Sequence, residues 1–228
     1  MPAVTPLILN LVQEPSASAK AIGLVTPLYF LMMYLLSRRI YRAAHAAVLF
    51  GFANQHFANH DYLTGIANRR AFQEALEREW ARALRTEKPL SLVIADVDDF
   101  KQCNDTYGHS IGDKVLKAIA MMIVHRARKG IDMPARIGGE EFAVVLPETN
   151  LADACLIAED IRTRAHAIRS DDGTEIPVAT LSLGVACLVP DVEGSPRFLF
   201  NRSDQALYRA KLEGKDRFVA DGAGQTPD

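Results

Sequence analysis

Cysteine is scarce in this chain. The three cysteines among 228 residues, Cys103, Cys155 and Cys187, are odd in number and far apart. They form neither a C-x-x-C pair nor a disulfide framework, so they are expected to be packing residues or free thiols in a reducing compartment. A dominant charge is also lacking. With 26 Lys+Arg against 28 Asp+Glu the net charge is −2, so no global field steers the protein toward nucleic acid. A small anionic ligand stays open, because a few well-placed lysines suffice locally. There is no internal repeat, and no clear run of the roughly 20 apolar residues that a spanning helix needs. What is present, 49% hydrophobic and 24% charged residues, is the balance of a folded protein. The length allows one domain of about 160 residues plus an accessory segment.

That segment is residues 1–60. Ala21 to Leu36 (AIGLVTPLYFLMMYLL) is uncharged and apolar, and Arg38, Arg39 and Arg42 follow it. The run is borderline for a membrane helix, and Pro27 would kink it. The arginines after it, against the single Lys20 before it, predict a cytoplasmic C-terminal side. Two readings stay open: an anchor to the inner membrane through residues 21–37, or an amphipathic or core-packed helix that pairs two subunits. Met1 to Val12 has no basic region, so no cleaved signal peptide is expected. Ala43 to His60 reads as a helix continuing into the next domain. His45, His56 and His60 lack a convincing third metal ligand and read as solvated or interfacial.

From Asp61 the pattern is that of an alternating α/β domain, expected over residues 61–221 with a disordered tail at 222–228. Asn68 can cap a helix with Phe72, Leu76, Trp80 and Leu84 on one face, stopped at Lys88-Pro89. Leu90 to Ala95 (LSLVIA) reads as a buried strand. A second helix carries Val115, Leu116, Ile119, Met122 and Ile123. Phe142 to Leu146 is the next strand, stopped by Pro147, and Leu151 to Ile168 the next helix. Val178 to Leu188 reads as a long strand, Phe198 to Leu212 as the last helix and Phe218 to Ala220 as a short final strand. The fold class is α/β (α+β): a mixed central β-sheet flanked by helices and preceded by an N-terminal helical segment.

Three stretches carry side chains suited to chemistry. Asp96-Val97-Asp98-Asp99-Phe100-Lys101 ends the first strand in three carboxylates. Such acids can cap a following helix, or they can hold a hard cation such as Mg²⁺, which takes oxygen ligands and shares them with phosphates. Arg136-Ile137-Gly138-Gly139-Glu140-Glu141-Phe142 sets a Gly-Gly turn between apolar segments, a hairpin signal in which glycine lets a ligand approach the main chain. If this hairpin lies beside the first strand, Glu140 and Asp96 converge on one site. Two metals there would activate an attacking hydroxyl and stabilise a leaving pyrophosphate. Lys211-Leu212-Glu213-Gly214-Lys215, with Lys101, can bind phosphates as point charges, or can merely complement a helix C-terminus.

Four motifs then carry a resemblance. Asp61 to Arg70 (DYLTGIANRR) resembles the leading signature of the GGDEF-domain diguanylate cyclases. Asp96 to Asp113 (DVDDFKQCNDTYGHSIGD) is similar to their nucleotide-binding stretch, and Arg136 to Phe142 matches the name motif in its GGEEF form. Ala206 to Lys211 with Gly214-Lys215 resembles the closing motif. The four stand in the family's order over more than two thirds of the chain.

The resemblance implies a nucleotidyl-cyclase or polymerase-palm-like fold and an enzyme that condenses two GTP into cyclic di-GMP and two pyrophosphates. It implies Mg²⁺, with Mn²⁺ as a substitute, held by Asp96, Glu140 and the Val97 carbonyl. Glu141 would activate the ribose 3′-hydroxyl or hold the second metal. Asn104 and Asp113 would bind the guanine edge near Phe100, and Lys101, Lys211 and Lys215 would meet the phosphates. Gly138 and Gly139 would permit close approach, and His109 is read as structural or supporting. Each half-site holds one GTP, so a homodimer is required, formed by the catalytic domains and the N-terminal helix. Downstream receptors would bind the product, and the catalytic domain would work in the bacterial cytoplasm.

Three positions depart from the family's pattern. An inhibitory product site, R-x-x-D, is represented here by Lys129-Gly130-Ile131-Asp132. Lysine loses the planar fork of arginine, so little product inhibition is expected unless Arg128 substitutes. Lys215 stands where arginine is common, and Asp99 where an aromatic is frequent. A catalytically silent GTP- or cyclic di-GMP-binding dimerisation module is the alternative reading, and use of ATP a third, against which Asp113 argues. With no space for a PAS, GAF or receiver domain before Asp61, regulation is expected through the N-terminal helix, a partner or expression level.

Overall fold

Strand β1 (Leu90–Val97) is buried along its whole length and lies at the centre of a five-stranded sheet of order β2-β3-β1-β4-β5. Its neighbours β3 (Glu141–Pro147) and β4 (Leu181–Leu188) are both antiparallel to it. At the edges, β2 (Met133–Arg136) pairs antiparallel with β3, and β5 (Phe218–Asp221) parallel with β4. The sheet is therefore mixed. Helices cover both of its faces, which is why β1 reads as an unbroken apolar run rather than an alternation. Leu90, Leu92 and Ile94 share a core with α1 (Arg69–Thr86) and α5 (Pro196–Leu212). Val93, Ala95 and Val97 face the other core, with Phe100 of α2 (Phe100–Tyr107), α3 (His109–Arg126) and α4 (Leu151–Ala165). Truncating the fully buried Leu92 to alanine would cost about 2–5 kcal/mol.

The computed structural model describes residues 25–42, 59–170 and 173–221, and the chain divides into two units, Met1–His56 and Phe57–Asp228. In the first unit, residues 25–42 form a helix with nearly all its side chains exposed. The segment read as a membrane span begins at residue 21, and residues 21–24 lie outside the described ones. No helix among the described residues is long and apolar enough to cross a membrane. The helix expected over 43–60 lies outside the described residues as far as 58, together with His45 and His56. The same holds for the tail at 222–228.

In the second unit, local chemistry sets the element ends. The Asn68 side chain accepts from Ala71 N–H at 3.1 Å to cap α1, and Asn150 does the same for α4 through Asp153 N–H at 2.9 Å. Helix α1 stops where Glu87 adopts φ 53° and returns its N–H to Ala83 O. Its buried stripe takes Ala83 rather than Leu84. Helix α4 ends at Ala165, short of Ile168. Strand β4 starts at Leu181, not at Val178. The expected second helix is α3, and a separate short helix, α2, precedes it across Gly108 at φ 84°. The sequence hides that break, because only the backbone at Gly108 divides two helix-compatible runs.

Candidate active site

The register of β1 on β3 sets Asp96 opposite Glu141. Between β2 and β3 the hairpin closes with Ile137 N–H and Gly138 N–H both donating to Glu141 O, at 2.9 and 3.3 Å. Val97 N–H donates to Glu140 O at 3.2 Å, which ties the turn to the end of β1. Asp96 is 6% exposed and pairs with Lys211 Nζ at 2.8 Å from α5. Burial pushes the Asp96 carboxyl above its ordinary range, and Lys211 only partly offsets this. Burial also raises Glu140, and the charges of Asp96 and Glu141 raise it further. Three carboxylates thus share this corner with one pairing lysine. A Cβ at Gly138 would sit 2.2 Å from Glu141 Oε2, so a larger residue there would displace that carboxylate.

The hairpin is held from outside the sheet as well. Arg136 donates to Gly139 O through Nε at 3.1 Å and Nη2 at 2.6 Å, and to Asp61 Oδ1 through Nη1 at 2.9 Å. The same Asp61 oxygen accepts Thr64 N–H at 2.9 Å and Thr64 Oγ1–H at 2.6 Å. Burial raises Asp61, but these donors outweigh it and hold its carboxyl below the usual range.

The remaining predicted residues line the same end of the sheet. Phe100 is buried at the start of α2, while Lys101 is exposed. Asn104 is half-buried and lies across Gly112, where a Cβ would fall 1.9 Å from Asn104 Oδ1. Asp113, the next residue along α3, is exposed. Lys215 Nζ pairs with Asp99 Oδ1 at 2.6 Å. Two surface pockets flank the corner. One of about 310 Å³ is bordered by Val97, Asp99, Phe100 and Cys103. The other, about 690 Å³, reaches Glu141, Ile137, Phe72 and Phe200. Asn104 and Asp113 border neither of them.

Among the described residues, no group of three or more His, Cys, Asp or Glu side chains forms a ready metal cage. Mg²⁺ seldom uses one. It is held by one or two carboxylates together with substrate phosphates and water, a number of donors that Asp96 and Glu140 could supply.

The Lys129–Asp132 corner is built differently. Lys129 is exposed. The Asp132 side chain is 0% exposed and is taken up by Arg128, through N–H at 2.7 Å, Nε at 3.0 Å and Nη2 at 2.6 Å. Arg128 Nη2 also donates to Pro147 O at 2.9 Å and Thr149 Oγ1 at 2.7 Å. The arginine expected as a substitute anion clamp is thus engaged within the fold.

Two supports are hidden in the sequence. Asp98 accepts Ser182 Oγ–H at 2.6 Å, Thr180 Oγ1–H at 2.9 Å and Asp216 N–H at 3.1 Å, and so ties β1, β4 and the loop after α5 together. Its neighbours in the acidic run give no sign which carboxylate faces inward. The Arg136–Asp61 pair spans 75 positions; its one visible signal is the Asp-x-x-Thr spacing of a side-chain-capped turn.

The family model described as "Diguanylate cyclase, GGDEF domain" matches residues 58–217. The response regulator PleD of Caulobacter vibrioides is 40% identical over 167 residues, 72% of this chain and 36% of that protein. The diguanylate cyclase DgcM of Escherichia coli is 44% identical over 168 residues, 73% of this chain and 39% of that one. The chain therefore spans little more than a third of the length of these relatives. A crystal structure of the coiled coil and GGDEF domain of DgcB from Caulobacter crescentus, in complex with c-di-GMP, superposes with a TM-score of 0.72 at 31% identity. It covers 82% of this chain and 99% of that one. The active GGEEF domain of a Vibrio cholerae diguanylate cyclase gives 0.61 at 34% identity, covering 70% and 98%.

Proposed function

We propose, from the premise that this chain belongs to the GGDEF-domain diguanylate cyclase family, that it joins two GTP molecules into cyclic di-GMP with release of two pyrophosphates. One observation carries the proposal: Asp96 on β1 and Glu140, in the turn just before β3, are both raised in pKa beside Lys211. A hairpin that only supports the fold gains nothing from carboxylates held partly buried and close together, whereas a divalent cation would offset both the burial and the crowding.

Asp96, Glu140 and the Val97 carbonyl are the residues that would hold Mg²⁺, or Mn²⁺ in its place. Bound there, the cation would supply charge neutralisation for the phosphates and lower the pKa of the attacking hydroxyl. Lys211, which pairs with Asp96 at 2.8 Å, would bind the phosphates. Lys101 and Lys215 bind the same triphosphate. Asn104 and Asp113 accept and donate along the guanine edge, a polar match that adenine leaves unpaired. Glu141 takes up the 3′-hydroxyl proton as the ribose oxygen bonds to the α-phosphorus of the other GTP and the bond to pyrophosphate breaks. The hydroxyl and the phosphorus sit on different protomers, so a homodimer through the catalytic units, aided by the N-terminal segment, brings them together. The catalytic unit is taken as residues 61–221, working in the bacterial cytoplasm and feeding receptors for the product.

Product inhibition is proposed to be weak, supported by the engagement of Arg128 and Asp132 with each other. The test is incubation of the full chain with GTP and Mg²⁺, with Glu140→Gln as control. Cyclic di-GMP from the wild type alone is expected. A wild-type protein that binds GTP but makes no product would instead establish a silent binding module.

A further inference from the structure

Asp99 occupies the N-cap position of α2, at φ 53°, but makes no capping bond with its side chain. An aspartate at that position usually accepts from the first-turn N–H groups. Here the carboxylate turns away, to Lys215 Nζ at 2.6 Å. Lys215 is itself in a left-handed conformation, at φ 62°. The two residues lie 116 positions apart, on separate loops at the same end of the sheet. Nearby, Lys211 is held by Asp96 in a similar way. Under the proposed function Asp96 would hold a metal in place of its lysine, a role not assigned to Asp99.

We propose that Asp99 is an internal competitor for Lys215, occupying the ammonium until a triphosphate displaces it, and so sets the affinity of the site for GTP. The proposal rests on the diguanylate cyclase reading for the identity of the ligand. Both side chains are well exposed, at 41% for Lys215 and 60% for Asp99, so the pair is weak and exchangeable. A triphosphate brings several charges and strong acceptor oxygens, and it displaces a single carboxylate. A simple monoanion fares worse, because it competes with a carboxylate tethered at high effective concentration. Asp99 thereby favours polyanions at Lys215 at some cost in affinity.

The test is calorimetric titration of the full chain with Mg²⁺ and a non-reactive α,β-methylene analogue of GTP. Wild type, Asp99→Asn, Lys215→Ala and the double variant are compared. Asparagine tolerates the left-handed backbone as aspartate does, so the loop is preserved. Asp99→Asn is expected to tighten binding by about two- to five-fold, and Lys215→Ala to weaken it. In the Lys215→Ala background the Asp99 substitution is expected to have no effect. Unchanged or weaker binding by Asp99→Asn overturns the proposal, since Asp99 would then be inert or would orient the lysine. A gain that persists without Lys215 also overturns it, because the carboxylate would then act by its field alone. A wild type that binds no analogue defeats the nucleotide reading itself, and this assignment with it; binding that Asp99→Asn leaves unaltered defeats only the assignment.

Discussion

Strand β3 begins and ends among charged side chains, and its two ends are opposites. At Glu141 the neighbouring carboxylates Asp96 and Glu140 are both pushed up in pKa, and one lysine is shared among them. At Pro147 the carbonyl accepts from Arg128, which also clasps the buried Asp132 and Thr149. The first end holds more charge than it has partners for, and the second has its charges matched. An unmatched end stores electrostatic energy that a ligand can release. A matched end has already spent it on the fold, which is why charged residues in sequence do not by themselves mark a site.

The comparison breaks most visibly at Glu140. Glu140→Gln is expected to lower turnover by about 10³-fold, since several kcal/mol of charge stabilisation is lost, with the circular dichroism spectrum unchanged. Retained turnover would mean that the open end is not the reactive one. Its pH dependence sharpens the same point. A carboxyl raised in the folded state binds its proton more tightly there than in the unfolded chain, so its contribution to stability is present at low pH and lost as pH rises through the folded value. Without divalent cations, the melting temperature of Glu140→Gln minus that of wild type should therefore grow from pH 4.5 to 7.5, and Mg²⁺ should shrink the difference. A flat difference would remove the electrostatic argument.

Next in size is Arg136→Met, which frees the Gly139 carbonyl. Turnover should fall about 10- to 100-fold through misplacement, with the KM for GTP little changed. A pure KM effect would assign Arg136 to substrate instead. At the matched end, Asp132→Ala strands Arg128 and should lower the melting temperature by about 3–10 °C, with turnover intact. A loss of turnover as large as that of Arg136→Met would erase the contrast between the ends. Smallest of all is Lys129→Arg. It completes R-x-x-D in sequence, yet product titration should shift inhibition by less than about two-fold, because Asp132 remains occupied. Strong new inhibition would show that the Arg128 clasp yields.

Much of the fold was legible from pattern. The apolar run at Leu90 and the Gly-Gly turn each follow one period or one backbone need and lie where expected, and the stripe on α1 does so except that Ala83 replaces Leu84 at its end. Ends were legible where a cap writes them, as at Asn68 and Asn150, and not where tertiary bonds do. Strand β1 extends to Val97 and then stops, with the Asp98 carboxylate tied to β4 and to the loop after α5. The candidate site was readable as a set of side chains. Its pairings were not, because Lys211 with Asp96, Lys215 with Asp99 and Arg136 with Asp61 are each made across the fold. The Arg128–Asp132 pair is local, but its meaning depends on Pro147 and Thr149, which the fold alone supplies.

Asp61 Oδ1 gathers three donors, and one of them leads straight to the glycine turn. In mechanical terms Arg136 is a strut between two loops with no shared strand. Both contacts leave from one rigid planar guanidinium, so the turn at Asp61 and the Gly139 carbonyl are held at a fixed spacing. The position of the Gly-Gly hairpin is thus referenced in part to the first turn of the domain.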